Sequence, residues 1–293
     1  MDIEWRNYIK DEDFHDNTLK NYIINLCEES ENLINFLANY YGSILPNPSI
    51  LIRTSSSENA WQVSNKIIVP EGLIIYLKSQ DHKLISQEIK NFRPSKLTFL
   101  WIIAHEFMHY GSNHIKVKTI FEPYKDKYLL WLLECEADGL STAAIIRYLI
   151  QAKQINPDSE NKFNVKREIL SSLFLPIRNK MDFNSNEDSL TLRHPLWEFR
   201  LYAIIGKLAW TDNYNLIHGR PKFDKNAVHE KDLLLKHLKE LETTYLVENS
   251  QQKKNLYDYT FTQFTKDFIE IADRQDKFLH ILKENSMLKK NIY

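Results

Sequence analysis

The stretch Leu97 to His114, LTFLWIIAHEFMHYGSNH, constrains this chain more than any other. It is an apolar run with no Pro or Gly before Gly111, so it predicts a helix ending near Gly111 or Ser112, with Ser95 as its cap. Inside it stands His105-Glu106-Phe107-Met108-His109, an H-E-x-x-H. A helix brings residues i and i+4 to one face, about 6 Å apart along its axis. His105 and His109 can therefore offer two imidazoles to one tetrahedral Zn²⁺, with Glu106 roughly 100° round the helix and able to reach a water held there. Metal as Lewis acid and Glu as general base is the working arrangement of a zinc protease.

With 10 His and 39 acidic residues in 293, the pattern arises by chance at most roughly 4% of the time, so it needs a second motif beside it. The plain alternative is a buried helix with two satisfied histidines. Against that, Trp101, Ile102, Ile103, Phe107 and Met108 already supply a wide apolar surface. Burying two His and a Glu among them without a shared task would cost several kcal/mol of desolvation.

The second motif lies in Leu129 to Leu140, LLWLLECEADGL, where three acids interrupt an otherwise apolar helix. Glu134 and Asp138 are i and i+4 and share a face, while Glu136 points elsewhere. Glu134 is the expected third ligand, with Glu136 as its competitor. Asp138, one turn on, is placed to accept the free ring N–H of a ligand His and so fix its tautomer. Cys135, in the same stretch, is expected to be a small buried hydrophobe. Farther along, Thr191 to Tyr202 begins a helix at Pro195. His194 at its cap and Arg200 about two turns in could stabilise an oxyanion, or the segment could be a plain Pro-started helix.

Between Pro46 and Pro70 the period changes. Ser49 to Arg53 and Lys66 to Val69 are short β-branched runs flanking a polar stretch, and predict a small β-sheet over the active-site helix. Such a strand could hold an extended substrate by β-addition, or be no more than a structural hairpin. Thr18 to Tyr41 predicts a packing helix capped by Asn17 or Thr18 and stopped by Gly42, and Leu84 to Phe92 a further helical turn or two. From Thr211 the chain turns loop-like, then predicts amphipathic helices over Lys231 to Leu246 and Phe261 to Leu288. The expected division is 1–210 for the catalytic unit and 211–293 for a helical extension covering it. The fold class is α+β, predominantly α-helical.

The net charge of −1 carries no polyanion-binding signature, which argues against a nucleic-acid partner. Two cysteines make no disulfide framework, no apolar h-region opens the chain, and no window reaches a membrane span. A cytoplasmic protein without a membrane partner is expected.

As an ordered set, H-E-x-x-H at His105 to His109, E-x-x-A-D from Glu134 to Asp138, and His194-Pro195 followed by Arg200 resembles the zincin-fold gluzincin metallopeptidases. These include the membrane-bound CAAX-type and heat-shock proteases. The set is also similar to the phage-exclusion Lit peptidases, which share a His five residues after the second ligand, here His114, and an E-x-E-A-D segment. The resemblance spans about Asn59 to Tyr202. It implies a zincin-like (minigluzincin) core, zinc on His105, His109 and Glu134, Glu106 as base, and Asp138 behind a ligand. It makes His194 and Arg200 substrate or transition-state contacts. It also implies a soluble intracellular endopeptidase acting on a host or phage protein during infection. Activation by a partner or cofactor is expected on separate grounds, because an unrestrained protease in the cytosol would be harmful. His114 is expected at the surface. The competing functions are a regulatory or binding protein on the same scaffold, with a structural metal or lapsed catalysis, and a repressor-cleaving regulatory protease.

Overall fold

In this computed structural model the chain runs β1 (Asp2–Glu4), α1 (Trp5–Tyr8), α2 (Asn17–Tyr41), β2 (Ser49–Arg53), β3 (Trp61–Val63), β4 (Lys66–Pro70), α3 (Glu71–Gln80), α4 (Pro94–Gly111) and α5 (His114–Phe121). After a short 3-10 turn come α6 (Lys127–Gln151), α7 (Lys162–Asp182), α8 (Trp197–Trp210), α9 (Lys225–Glu248) and α10 (Phe261–Asn285). The described residues are 2–10, 16–57, 59–80, 93–124, 126–155, 162–182, 197–210, 225–248 and 261–288. The architecture is α+β and mostly helical, with one small mixed sheet. The expected turns at Leu84 to Phe92 and the His194-Pro195 helix start lie outside the described residues.

Helix α4 is the axis of the molecule. From Leu97 to Met108 nearly every side chain except Glu106 is buried, as an all-round apolar helix requires. It packs against α2, α3, α6 and α7, with β3 and β4 across it. Its start differs from expectation: Arg93 is the cap residue, Pro94 takes the first turn, and Ser95 lies inside the helix. The buried Ser95 Oγ instead accepts from Tyr22 OH at 2.6 Å, pinning α2 to α4. The start of α2 also lies one residue earlier than expected. Asp16 caps it, because its carboxylate can accept from both Thr18 N and Leu19 N at 2.9 Å. Gly42 ends α2 in the left-handed region, φ 63°, where a Cβ would be strained.

The sheet order is β1-β2-β4-β3. Strands β2 and β4 are parallel neighbours, so the hairpin is formed by β3 and β4, with Val63 opposite Lys66. Ile50, Ile52, Ile67 and Val69 are buried, and they join the same apolar core as α4. The loop after β2 crosses directly over Gly72, whose N–H donates to Ser55 O. A Cβ there would lie 2.6 Å from the Ser56 backbone, so only glycine fits. Strand β1, which pairs with β2 and is tied to it by the Arg53–Asp2 ion pair, has no counterpart in the sequence-based expectation.

Helices α9 and α10 follow the expected amphipathic segments. Helix α9 lies on α7 and α8, and α10 lies on α5 and α6. Phe278 and Leu282 of α10 complete a smaller apolar cluster with Val117, Phe121, Leu129 and Leu133. Among the described residues, no helix is long and apolar enough to cross a membrane.

Candidate metal centre

Helices α4 and α6 run in contact, and their facing residues make the site. One polar link joins the pair: Trp101 Nε1 donates to Thr142 Oγ1 at 3.0 Å, and Thr142 Oγ1 in turn donates within α6 to Asp138 O at 2.7 Å. On this scaffold His105 and His109, one turn apart, turn their Nε2 atoms to the same point, 2.9 Å from each other. Glu134 of α6 closes a triangle, Oε2 3.6 Å from His105 Nε2 and Oε1 3.7 Å from His109 Nε2. Four-coordinate zinc with bonds of about 2.0–2.1 Å sets its ligand atoms about 3.3 Å apart. The two Nε2 atoms are 2.9 Å apart, each has one or other Glu134 oxygen within 3.7 Å, and one ligand atom from each residue lies within 4.8 Å of the others, so the three side chains are grouped closely enough to hold one small cation.

Behind the triangle, His105 Nδ1 stands 3.0 Å from Asp138 Oδ1, at ion-pair distance though off the axis of a hydrogen bond. Asp138 is fully buried and is held by both edges of the Arg200 guanidinium, Nε to Oδ2 and Nη2 to Oδ1, each at 2.8 Å. Arg200 was expected to face substrate. It lines the cleft but directs these two donors backward onto Asp138, in the fork geometry arginine offers a carboxylate.

The electrostatics follow from burial and neighbours. Burial works against a charged His105, but Asp138 and then Glu134 outweigh it and hold its pKa up at about 9. Burial takes His109 well below the ordinary histidine value. Glu134 opposes that shift, and His105 and His114 reinforce it. A proton on His105 thus sits where the lone pairs of both rings converge, at the position a cation would take. Burial raises the Asp138 carboxyl, yet the Arg200 charge and hydrogen bonds keep it below the usual range. Burial also pushes the Cys135 thiol up, away from the thiolate a metal would need.

His114 is not at the surface. Asn113, in the left-handed region at φ 56°, turns the chain after α4, and the first residue of α5 folds back beneath the site. The His114 ring is buried, its Nδ1 2.7 Å from His109 Nδ1 and its Nε2 2.9 Å from Glu136 Oε2. Glu136 thus faces His114 instead of the triangle. The Gly-Ser-Asn break before His114 was the available signal that this residue leaves the helix face.

The triangle forms the floor of a cleft of about 480 Å³. Asn59 to Gln62, at the start of the edge strand β3, make one wall; Trp101, Glu106, Ile115, Lys118 and Leu133 make much of the rest. His105, Glu106, His109, Glu134 and Arg200 therefore share one cleft, with Asp138 beneath them. His194 lies outside the described residues. Comparison of the chain with protein-family models, with curated proteins and with solved structures finds no match. The chemistry of the site must carry its interpretation.

Proposed function

We propose that this chain is a zinc-dependent endopeptidase of the gluzincin kind, built on a zincin-like core. One observation carries the reading: two imidazole Nε2 atoms from α4 and a carboxylate from α6 converge at ligand distance on the floor of a cleft that Glu106 also lines. His105, His109 and Glu134 would hold the zinc. Once bound, zinc supplies the Lewis acidity that polarises a peptide carbonyl and makes water a nucleophile near neutral pH. Glu106 accepts a proton from the attacking water as the new C–O bond forms. It passes that proton to the amide nitrogen as the C–N bond breaks, so acid and amine products leave with all protons accounted for. The exposed edge of β3 offers backbone groups to an extended peptide, which favours a protein substrate over a small molecule.

The resemblance to the Lit peptidases supports a cytoplasmic enzyme acting on a host or phage protein, and the harm an unrestrained protease would do favours release of its activity by a partner. The test is Glu106→Gln in metal-loaded protein. It should keep the fold and the zinc and lose peptide cleavage by at least about 100-fold. Cleavage at the wild-type rate by that variant would overturn the mechanism. Zinc retained in a wild type that cleaves nothing, with or without cell extract, would favour a binding protein on this scaffold.

A further inference from the structure

The two ligand imidazoles are supported differently. His105 is backed by Asp138, which Arg200 neutralises. Among the described residues no carboxylate meets His109 Nδ1; its neighbour there is the Nδ1 of His114, at 2.7 Å. Two imidazole nitrogens at that distance must share one proton, so one ring donates and the other accepts. If His109 is to turn a lone pair at Nε2 toward a cation, its proton must be on Nδ1, and His114 Nδ1 must accept it. The neutral His114 ring then carries its own proton on Nε2, and the atom facing that position is Glu136 Oε2 at 2.9 Å.

Glu136 is nine-tenths buried and, among the described residues, neither of its oxygens accepts an aligned hydrogen bond. Rotation about its terminal torsion, which is broad and soft, brings Oε2 into line with His114 Nε2. A buried carboxylate without a donor would cost several kcal/mol, and the His114 N–H is the donor at hand. Building on the zinc reading above, we infer that Glu136 and His114 form a relay that fixes His109 as the Nδ1–H tautomer and aims its Nε2 at the metal. Glu136 is thus a positioning residue acting through His114, and an anionic end to the relay strengthens His109 as a ligand. The rival partner for Glu136 is Lys207 of α8, whose charged form Glu136 favours against burial.

Two measurements test the relay. Zinc affinity is read by competition with a chromophoric chelator, and ring protonation by nitrogen-15 NMR of the wild type, with and without zinc. Glu136→Ala and His114→Ala should each weaken zinc binding by roughly 10-fold, the lower end for an outer partner of a ligand. The double variant should lose no more than either alone. His114→Gln, whose amide can accept from His109 and donate to Glu136, should restore most of the affinity. Lys207→Met should leave it unchanged. In the wild type, His114 should carry its proton on Nε2 and leave Nδ1 bare. Additive losses, no rescue by Gln, loss of affinity in Lys207→Met matching that in Glu136→Ala, or a protonated His114 Nδ1 would each overturn the relay. Full zinc affinity in Glu136→Ala would remove the relay and leave the zinc reading standing. A wild type that binds no zinc but shows the stated His114 tautomer would remove the zinc reading and leave the relay.

Discussion

Met287 donates its backbone N–H to the carbonyl of Gly111 at 2.9 Å, joining the tail after α10 to the last residue of the helix that carries both site histidines. The same tail is held from the other side, where Ile44 N donates to Met287 O at 3.1 Å and Ser43 bridges Leu288. Asn113, the residue that turns His114 inward, donates its side-chain N–H to Asn285 O at 3.3 Å. The segment from Asn285 to Leu288 is therefore built into the frame of the site.

That joint makes a prediction. Met287→Pro removes the N–H that Gly111 O accepts and should cost at least about 1 kcal/mol in a denaturant titration. Hydrogen exchange at Ser112 and Asn113 should quicken more than at Leu100, in the buried middle of α4. Equal quickening along the whole helix would mean that the tail stabilises the fold generally and does not hold this turn.

Arg200 and Asp138 form a pair in which Asp138 is fully buried and Arg200 nearly so, and breaking it from the arginine side strands a charge. Arg200→Met should destabilise by about 3–5 kcal/mol. Adding Asp138→Asn to that variant should recover part of the loss, since the buried charge is then gone. A double variant less stable than Arg200→Met by the full cost of Asp138→Asn alone would show that the two do not act as a pair.

The link between α4 and α6 through Trp101 and Thr142 is buried at both ends. Thr142→Val keeps the volume but removes the acceptor for the indole N–H, and should cost about 1–3 kcal/mol, with Thr142→Ser close to wild type. Thermal unfolding of the three proteins side by side decides it; equal midpoints would contradict the link.

Away from the site, His237 of α9 sits against Ser171 and Arg167 of α7, with Ser171 Oγ 2.8 Å from its Nε2 and Arg167 Nη2 3.3 Å from its Nδ1. Ser171 already donates to Arg167 O, so this is a packing contact between helices in which His237 is neutral, accepting at Nδ1 and donating at Nε2. Burial, then the Arg167 charge, holds its pKa below the ordinary value, with Glu240 opposing. The unfolded state therefore binds the proton more readily. The stability that His237 contributes is present above about pH 6.5 and is lost as pH falls through its lower folded value. His237→Gln should flatten that part of the stability profile as pH falls below about 6.5; an unchanged slope would contradict it.

Much of the centre was legible in the sequence because helical spacing alone carries it. The i, i+4 offsets of His105 with His109 and of Glu134 with Asp138 dictate shared faces whatever surrounds them. Spacing could not reveal what depends on a chain reversal. His114 lies five residues after His109 and would point away on a continuous helix; only the left-handed Asn113 brings it back. Arg200 was legible as a charge near the site but not as the partner of Asp138, because that pairing spans two helices 62 residues apart. Strand β1 escaped notice for a related reason: three residues in a polar N-terminus are too few to establish an alternation, and pairing with β2 makes the strand. At the helix starts, Arg93 and Asp16 took the cap positions expected for Ser95 and for Asn17 or Thr18, the usual uncertainty of a boundary read without its hydrogen bonds.

The account stands most directly on the metal. Zinc content of the purified protein after reconstitution and desalting should be about one per chain in the wild type, and should fall to near none in Glu134→Ala with the fold intact. Glu136→Ala should still take up about one zinc per chain, held less tightly. A wild type that holds no zinc, or a Glu134→Ala protein that holds as much as the wild type, would contradict it.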